Sequence, residues 1–213
     1  MKDEMSSASV DSGPEKVGPI RQYFRCFRLD TKSVAANAII AALYVALTYA
    51  FWYISYQPVQ VRVSEFLVLL VFFNPNYTFG LCIGCALADI YSIAFATLTP
   101  FDILFGTLAT FLACIAMSLC RHLWIASLMP AIFNGFILAF EFSWTAGMFP
   151  FQNPENVTPE ASRIFYWTNF GYVFLGELVA VSILGYLLFR ILTKRVPRFY
   201  SVINAKRNLA YRW

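Results

Sequence analysis

The feature that most limits what this chain can fold into is the succession of apolar runs between Val34 and Leu192, most of them about as long as a bilayer is thick. A hydrocarbon core takes ~20 helical residues per crossing, so each long run reads as a transmembrane helix. Hydropathy places six: Val34 to Tyr56, a short second one from Phe66 to Phe73, Tyr77 to Thr97, Asp102 to Cys120, Trp124 to Met148, and Ile164 to Leu192. Pro58, Asn74 with Pro75, Pro100, Pro150 and Pro154 fall between them, where helix breakers belong. The 213 residues are 59% apolar and 13% charged, and six crossings with short loops exclude a sizeable soluble catalytic domain. The expected fold is an all-α integral membrane bundle of six helices over residues 34–192, between an N-terminal tail (1–33) and a basic C-terminal tail (193–213). The first tail is polar, mixed in charge and without an apolar core segment, so it reads as neither a signal peptide nor a first span.

Positive charge sets the orientation. Six Lys and Arg precede the first span, Arg121 lies between the fourth and fifth, and seven occur from Arg190 onward, so fourteen of the sixteen fall on one side. Loops rich in Lys and Arg stay in the cytoplasm, which predicts both termini inside a multi-pass protein of the cytoplasmic membrane, with Arg62 and Arg163 outside. The net charge of +4 then describes topology and gives no support to a nucleic-acid partner. Five cysteines are scattered along the chain. Cys82 and Cys85 form a C-x-x-C inside an apolar helix, but with no second pair and no nearby histidine they read as packing residues rather than metal ligands.

Polar groups at membrane depth are the informative ones, since each ionisable side chain costs about 2.5 to 3.5 kcal/mol at a helix centre. Arg62 and Glu65 stand at the outer end of the short second span, Asp89 in the outer half of the third, Asp102 at the outer start of the fourth, Asn134 and Glu141 on the fifth, and Glu177 on the sixth. Asn134 and Glu141 are seven apart and share a helical face; Tyr166, Asn169, Phe170, Val173 and Glu177 form a second stripe. If the stripes face each other beneath the VRVSE segment, the carboxylates converge in a chamber open to the outside and rimmed by Tyr56, Trp144, Tyr166 and Trp167. Such a chamber suits a small, flat, polar molecule. Plainer readings stand beside this one: Arg62 and Glu65 as an interfacial ion pair, Asp102 as a helix cap, Asp89 as a bond to a neighbouring helix, and the tryptophans as an interfacial belt. On the first helix, Ala38, Ala42, Ala46 and Ala50 recur every fourth residue. This smooth strip admits close approach of another helix, from within the bundle or from a partner.

Five blocks in order, VQVRVSEFLVLL, GLCIGCALADI, FDILFGTLATFLA, PAIFNGFILAFEF and GELVAVSILGYLL, resemble the motif blocks of the QueT family from about Val59 to Leu188. The resemblance implies a substrate-binding S-component of an energy-coupling factor transporter, a six-helix bundle with both termini inside, binding its solute on the outer side. It also implies a transmembrane coupling subunit, for which the alanine strip is the docking face, and two cytoplasmic ATPases. No Walker motif is present here, so ATP would be used by those partners and this chain needs no cofactor. Asp89 stands where the family block usually continues with asparagine, and neither VTPEAS nor the N-terminal tail matches a motif.

The implied ligand is a queuosine precursor, a 7-deazaguanine. Its N1–H and exocyclic amine are adjacent donors that one carboxylate can accept, for which Glu141 and Glu177 are the candidates. The amine of its 7-substituent would pair with Asp102 or Glu65, Asn134 would serve the O6 side, and Trp144, Tyr166, Trp167 or Phe170 would stack on the base. VQVRVSEF then reads as a short extended or amphipathic lid with Glu65 pointing inward. An S-component for thiamine, folate or tryptophan shares this architecture. An intramembrane carboxylate enzyme is the remote alternative: the one histidine, His122, is in a loop, and neither H-E-x-x-H nor G-x-S-x-G occurs.

Overall fold

The computed structural model describes residues 30–55, 61–94, 100–153, 155–196 and 198–203. Most of both tails, Tyr56 and the first two residues of VQVRVSEF lie outside the described residues. Everything described is helix, turn or loop, with no strand.

Helix α1, Thr31–Ala50, buries only Ile40, Ala41, Tyr44 and Thr48. Ala38, Ala42, Ala46 and Ala50 are all exposed on the other side, so the strip is not used within the described chain. After a short turn, Trp52–Ser55, and the undescribed residues comes the segment Val63–Phe73. Its first seven residues, Val63–Leu69, are a 3-10 helix and its last four, Leu70–Phe73, an α-helix, here α2. At ~2.0 Å and ~1.5 Å per residue the whole is about 20 Å long, short of a ~30 Å hydrocarbon core. It compensates by burial: Ser64, Glu65, Leu67, Val68, Leu69, Val71, Phe72 and Phe73 are all enclosed. The extended, alternating conformation expected here is therefore not found beyond Arg62, because burial on every side removes the two-faced environment that alternation serves.

A proline corner follows. Asn74 Oδ1 accepts from the Asn76 amide at 3.2 Å, and Pro75 opens the 3-10 turn Pro75–Tyr77. The Asn76 side chain donates to the Ser33 hydroxyl and Tyr77 Oη donates to the Ile203 carbonyl at 2.7 Å, so the two ends of the described chain meet at one end of the bundle.

Helices α3 (Thr78–Ala94), α4 (Pro100–Leu119) and α5 (Leu123–Thr145) follow. The last, α6, runs unbroken over Pro159–Arg195. It opens in the VTPEAS segment: Thr158 caps it by accepting from the Ala161 amide at 3.2 Å, Pro159 takes the first position, and Glu160 faces the positive helix end. Directly after Glu177 it becomes a π-helix, Leu178–Gly185, before resuming as α-helix over Tyr186–Arg195. A final turn, α7 (Phe199–Val202), closes the terminal end, where Phe73 stacks on Phe189 at 5.9 Å and Phe199 meets both edge-on.

Successive neighbours α1, α3, α4, α5 and α6 form the wall of the bundle, and the 3-10 segment is wedged between α1 and the π-helical part of α6. Lipid chains are as apolar as leucine, so such helices are held by close packing and polar bonds rather than by exclusion of water. Gly80 and Gly84 show that closeness: a Cβ at Gly80 would lie 2.5 Å from the Asn37 carbonyl oxygen of α1, and one at Gly84 2.8 Å from Tyr44 Cβ. Among the described residues four helices are long and apolar enough to cross a membrane, Thr31–Ala50, Pro100–Leu119, Leu123–Thr145 and Pro159–Arg195. Their outward faces carry Ile39, Leu104, Phe136 and Leu187, as lipid contact requires.

Candidate functional site

Buried among these helices is a group of charges that no aqueous protein interior would hold without purpose. Arg62, Glu65, Asp89, Asp102, Asn134, Glu141 and Glu177 are each at most 6% exposed. They come from five elements: the start of the 3-10 segment, α3, α4, α5 and α6.

The first part of the group is ionic. Arg62 Nη2 lies 3.2 Å from Asp89 Oδ1. Between them sits the Cys85 thiol, which takes a contact from Arg62 Nη1 at 3.6 Å and from Thr110 Oγ1 at 3.6 Å, and donates to Asp89 Oδ2 at 3.5 Å. Gly106 lets the α4 backbone come close, since a Cβ there would be 3.0 Å from Asp89 Oδ2. Asp102 is in electrostatic contact with Asp89. It stands in the first turn of α4, within the helix that starts at Pro100, and so is not its N-cap. Arg62 does not reach out to the membrane interface as a snorkelling residue would; it is drawn inward by the Asp89 carboxylate.

The second part is a pair of carboxylates held by neutral donors. Tyr44 Oη of α1 donates to Glu65 Oε1, and one turn along α1 the Thr48 hydroxyl meets that of Ser64 at 2.7 Å. Asn134 Nδ2 of α5 donates to Glu177 Oε1 of α6 at 2.7 Å. A carboxylate only accepts, so this bond orients the amide and turns Asn134 Oδ1 away. Glu177 lies within electrostatic reach of both Glu65 and Arg62, which joins the two parts.

Several buried oxygens are left over. Among those that make no hydrogen bond are Glu65 Oε2, Asn134 Oδ1 and Glu177 Oε2 of this group, Thr107 Oγ1 of α4, and Asp89 Oδ1, which faces Arg62, while no buried side-chain nitrogen among the described residues lacks one. Buried polar atoms are nearly always paired, so the oxygens of Glu65, Asn134 and Glu177, which as carboxylate and amide oxygens only accept, form a local surplus of acceptors that a molecule bringing donors would satisfy.

The remaining candidates lie around this group. Glu141 is fully buried on the Asn134 face of α5, about 10 Å further along at ~1.5 Å per residue. Asn169 is half-buried and spends its amide on the Phe165 carbonyl of its own helix, at 2.9 Å. Tyr166 Oη donates to the Phe136 carbonyl at 3.2 Å, and Phe136 packs on Phe170 with ring centres 4.7 Å apart, so the α5 and α6 stripes do meet. Trp167 is exposed and stands edge-on to Tyr166, Phe136 and Phe170. Trp144, also exposed, belongs to a separate aromatic group with Phe140, Phe149 and Phe151 at the far end of α5. Sequence reasoning passed over Tyr44, Thr48, Ser64 and Thr110, and took Cys85 for a packing residue. The signal for the first two was present: a polar pair four residues apart, on the side of α1 opposite the alanines. No group of three or more His, Cys, Asp and Glu is placed to hold a metal ion among the described residues.

Comparison with known proteins agrees with a membrane chain. The family model described as the QueT transporter matches residues 34–194. The Queuosine precursor transporter QueT of Lactococcus lactis subsp. cremoris (strain MG1363) is 31% identical over 174 residues, 78% of this chain and 95% of that relative. No solved structure matches the chain.

Proposed function

The chain belongs to the QueT transporter family, a family of transporters rather than enzymes, and we propose that it is the solute-binding S-component of an energy-coupling factor transporter importing a queuosine precursor. On this reading it is a protein of the cytoplasmic membrane with six membrane helices, counting the short Val63–Phe73 and the 17-residue Thr78–Ala94, and both termini inside. The meeting of Ser33, Asn76, Tyr77 and Ile203 at one end supports an even number of crossings, and the clustering of Lys and Arg supports the cytoplasm as that side. The solute enters from the opposite side. Its partners are a transmembrane coupling subunit, which docks on the exposed alanines of α1, and two cytoplasmic ATPases that use the ATP.

The observation that carries the reading is the surplus of buried acceptors at Glu65, Asn134 and Glu177 inside a bundle built for the membrane. A 7-deazaguanine is a donor-rich match: N1–H and the exocyclic amine reach Glu177 and Asn134, and a basic 7-substituent reaches the second carboxylate, Glu65. Phe170, which packs against Gly135 beside Asn134, offers a ring face.

Calorimetric titration of the detergent-purified protein with 7-aminomethyl-7-deazaguanine, with guanine and thiamine as comparators, tests this. The expected result is selective binding of the deazaguanine, lost in Glu177→Gln. Folded protein that ignores the deazaguanine, or prefers thiamine, would overturn the ligand assignment.

A further inference from the structure

We infer that Tyr44 is the positioning residue that makes Glu65 selective for a cationic donor on the ligand, an inference that rests on reading the acceptor group as the pocket for a 7-deazaguanine. The argument starts from what a phenol can do. Tyr44 is completely buried, and its one O–H is given to Glu65 Oε1. A neutral donor satisfies one carboxylate oxygen without cancelling the charge, and it fixes the carboxylate plane, so that Oε2 is left as a single, oriented, unpartnered acceptor.

The anchor is itself fixed. Gly84 brings α3 against the Tyr44 Cβ, the Tyr44 side chain is enclosed on all sides, and the Thr48–Ser64 bond ties α1 to the Glu65 segment one turn away. The nearby cation does not take the vacant role, because Arg62 is pulled against Asp89 at 3.2 Å. Glu177, in electrostatic reach of Glu65, adds negative potential. The charged and titratable groups around Glu65 are therefore Tyr44 from α1, Arg62 from its own segment, Asp89, Cys82 and Cys85 from α3, Cys114 from α4 and Glu177 from α6. Only one of these is a cation. A ligand group facing Oε2 must bring N–H and positive charge; an aminomethyl group does both, whereas a nitrile in the same position turns a nitrogen lone pair onto a carboxylate oxygen.

The test compares 7-aminomethyl- and 7-cyano-7-deazaguanine by calorimetry on four folded proteins: wild type, Tyr44→Phe, Glu65→Gln and Tyr49→Phe. Tyr49 is the control, since its hydroxyl makes a helix-to-helix bond of the same kind, to the Ala88 carbonyl at 2.9 Å. Wild type is expected to prefer the amine. Tyr44→Phe is expected to weaken amine binding by roughly 10- to 100-fold, as for a hydrogen bond to a charged group, with little change for the nitrile, while Tyr49→Phe keeps the wild-type ratio. Glu65→Gln replaces the idle acceptor with a donor and is expected to shift preference toward the nitrile, which keeps the inference testable should Tyr44→Phe not fold. Equal weakening of both ligands by Tyr44→Phe, or none, would assign Tyr44 a purely structural role and overturn the inference alone. So would a wild type without preference between the two. Wild type that binds neither ligand would overturn the reading of the pocket and this inference with it.

Discussion

A buried arginine beside several carboxylates is tolerated only where each charge has a defined neighbour. Arg62 has Asp89, with the Cys85 thiol between them, and that arrangement makes two predictions at the scale of single residues. Asp89→Asn removes the counter-charge and should lower stability by about 3 kcal/mol, the range for breaking a buried pair from one side, read as a lower midpoint of thermal unfolding in detergent. Arg62→Lys keeps the charge but not the fork that reaches Asp89 and Cys85 together, and should cost about 1 kcal/mol in the same measurement. An unchanged midpoint in both would mean that water reaches the pair. Glu65 and Glu177 differ from Asp89 in taking their hydrogen bonds from neutral donors, Tyr44 and Asn134.

Two faces of α1 do different work at the scale of the element. The inner face carries Tyr44 and Thr48 to Glu65 and Ser64, and the outer face carries the four alanines. Gly84→Leu, by forcing a side chain into the space where Tyr44 Cβ would be 2.8 Å away, should separate α1 from α3 and destabilise the protein by about 1 to 3 kcal/mol, with loss of ligand binding. Ala46→Trp should do the opposite: ligand titration of the purified protein unchanged, but uptake by cells and co-purification of the coupling subunit lost. If the tryptophan leaves uptake intact, the strip is lipid-facing surface only. The π-helix after Glu177 belongs to the same scale. Such widened turns often occur at functional positions, and here one begins at the residue that follows a pocket carboxylate.

For the whole molecule the arrangement of ends is the testable quantity. With native cysteines replaced, a cysteine at Gln152 should react from outside intact cells with a membrane-impermeant thiol reagent, and one at Ser201 should react only after permeabilisation. Labelling of both from outside would contradict the proposed orientation. The 37 residues of α6 span about 55 Å at ~1.5 Å per residue, well beyond the hydrocarbon, so its ends stand in the headgroup regions or in water, consistent with Arg163 near one end and Lys194 and Arg195 at the other.

The sequence by itself determined the class of fold, because apolar run length, a local quantity, fixes both helix and membrane. It also put Asn134 with Glu141, and Tyr166 with Glu177, each on one helical face, since helical periodicity is local too; that Asn134 and Glu177 meet across two helices is a tertiary fact. The boundaries of Trp124 to Met148 and Ile164 to Leu192 were close at the inner ends but missed that α6 begins at Pro159, where a capping threonine and a proline outweigh the low hydropathy of the segment. What only the tertiary structure decided is who pairs with whom. VQVRVSEF reads as a lid because its valines alternate, yet from Val63 onward enclosure by five surrounding helices makes the chain a 3-10 segment. Arg62 and Glu65, three apart in the sequence, have partners on other helices, Asp89 on α3 and Tyr44 on α1. Such pairings depend on how closely helices approach, and that is set by single glycines such as Gly84 and Gly106, whose role is a matter of distance in space and leaves no trace in the periodicity of the chain.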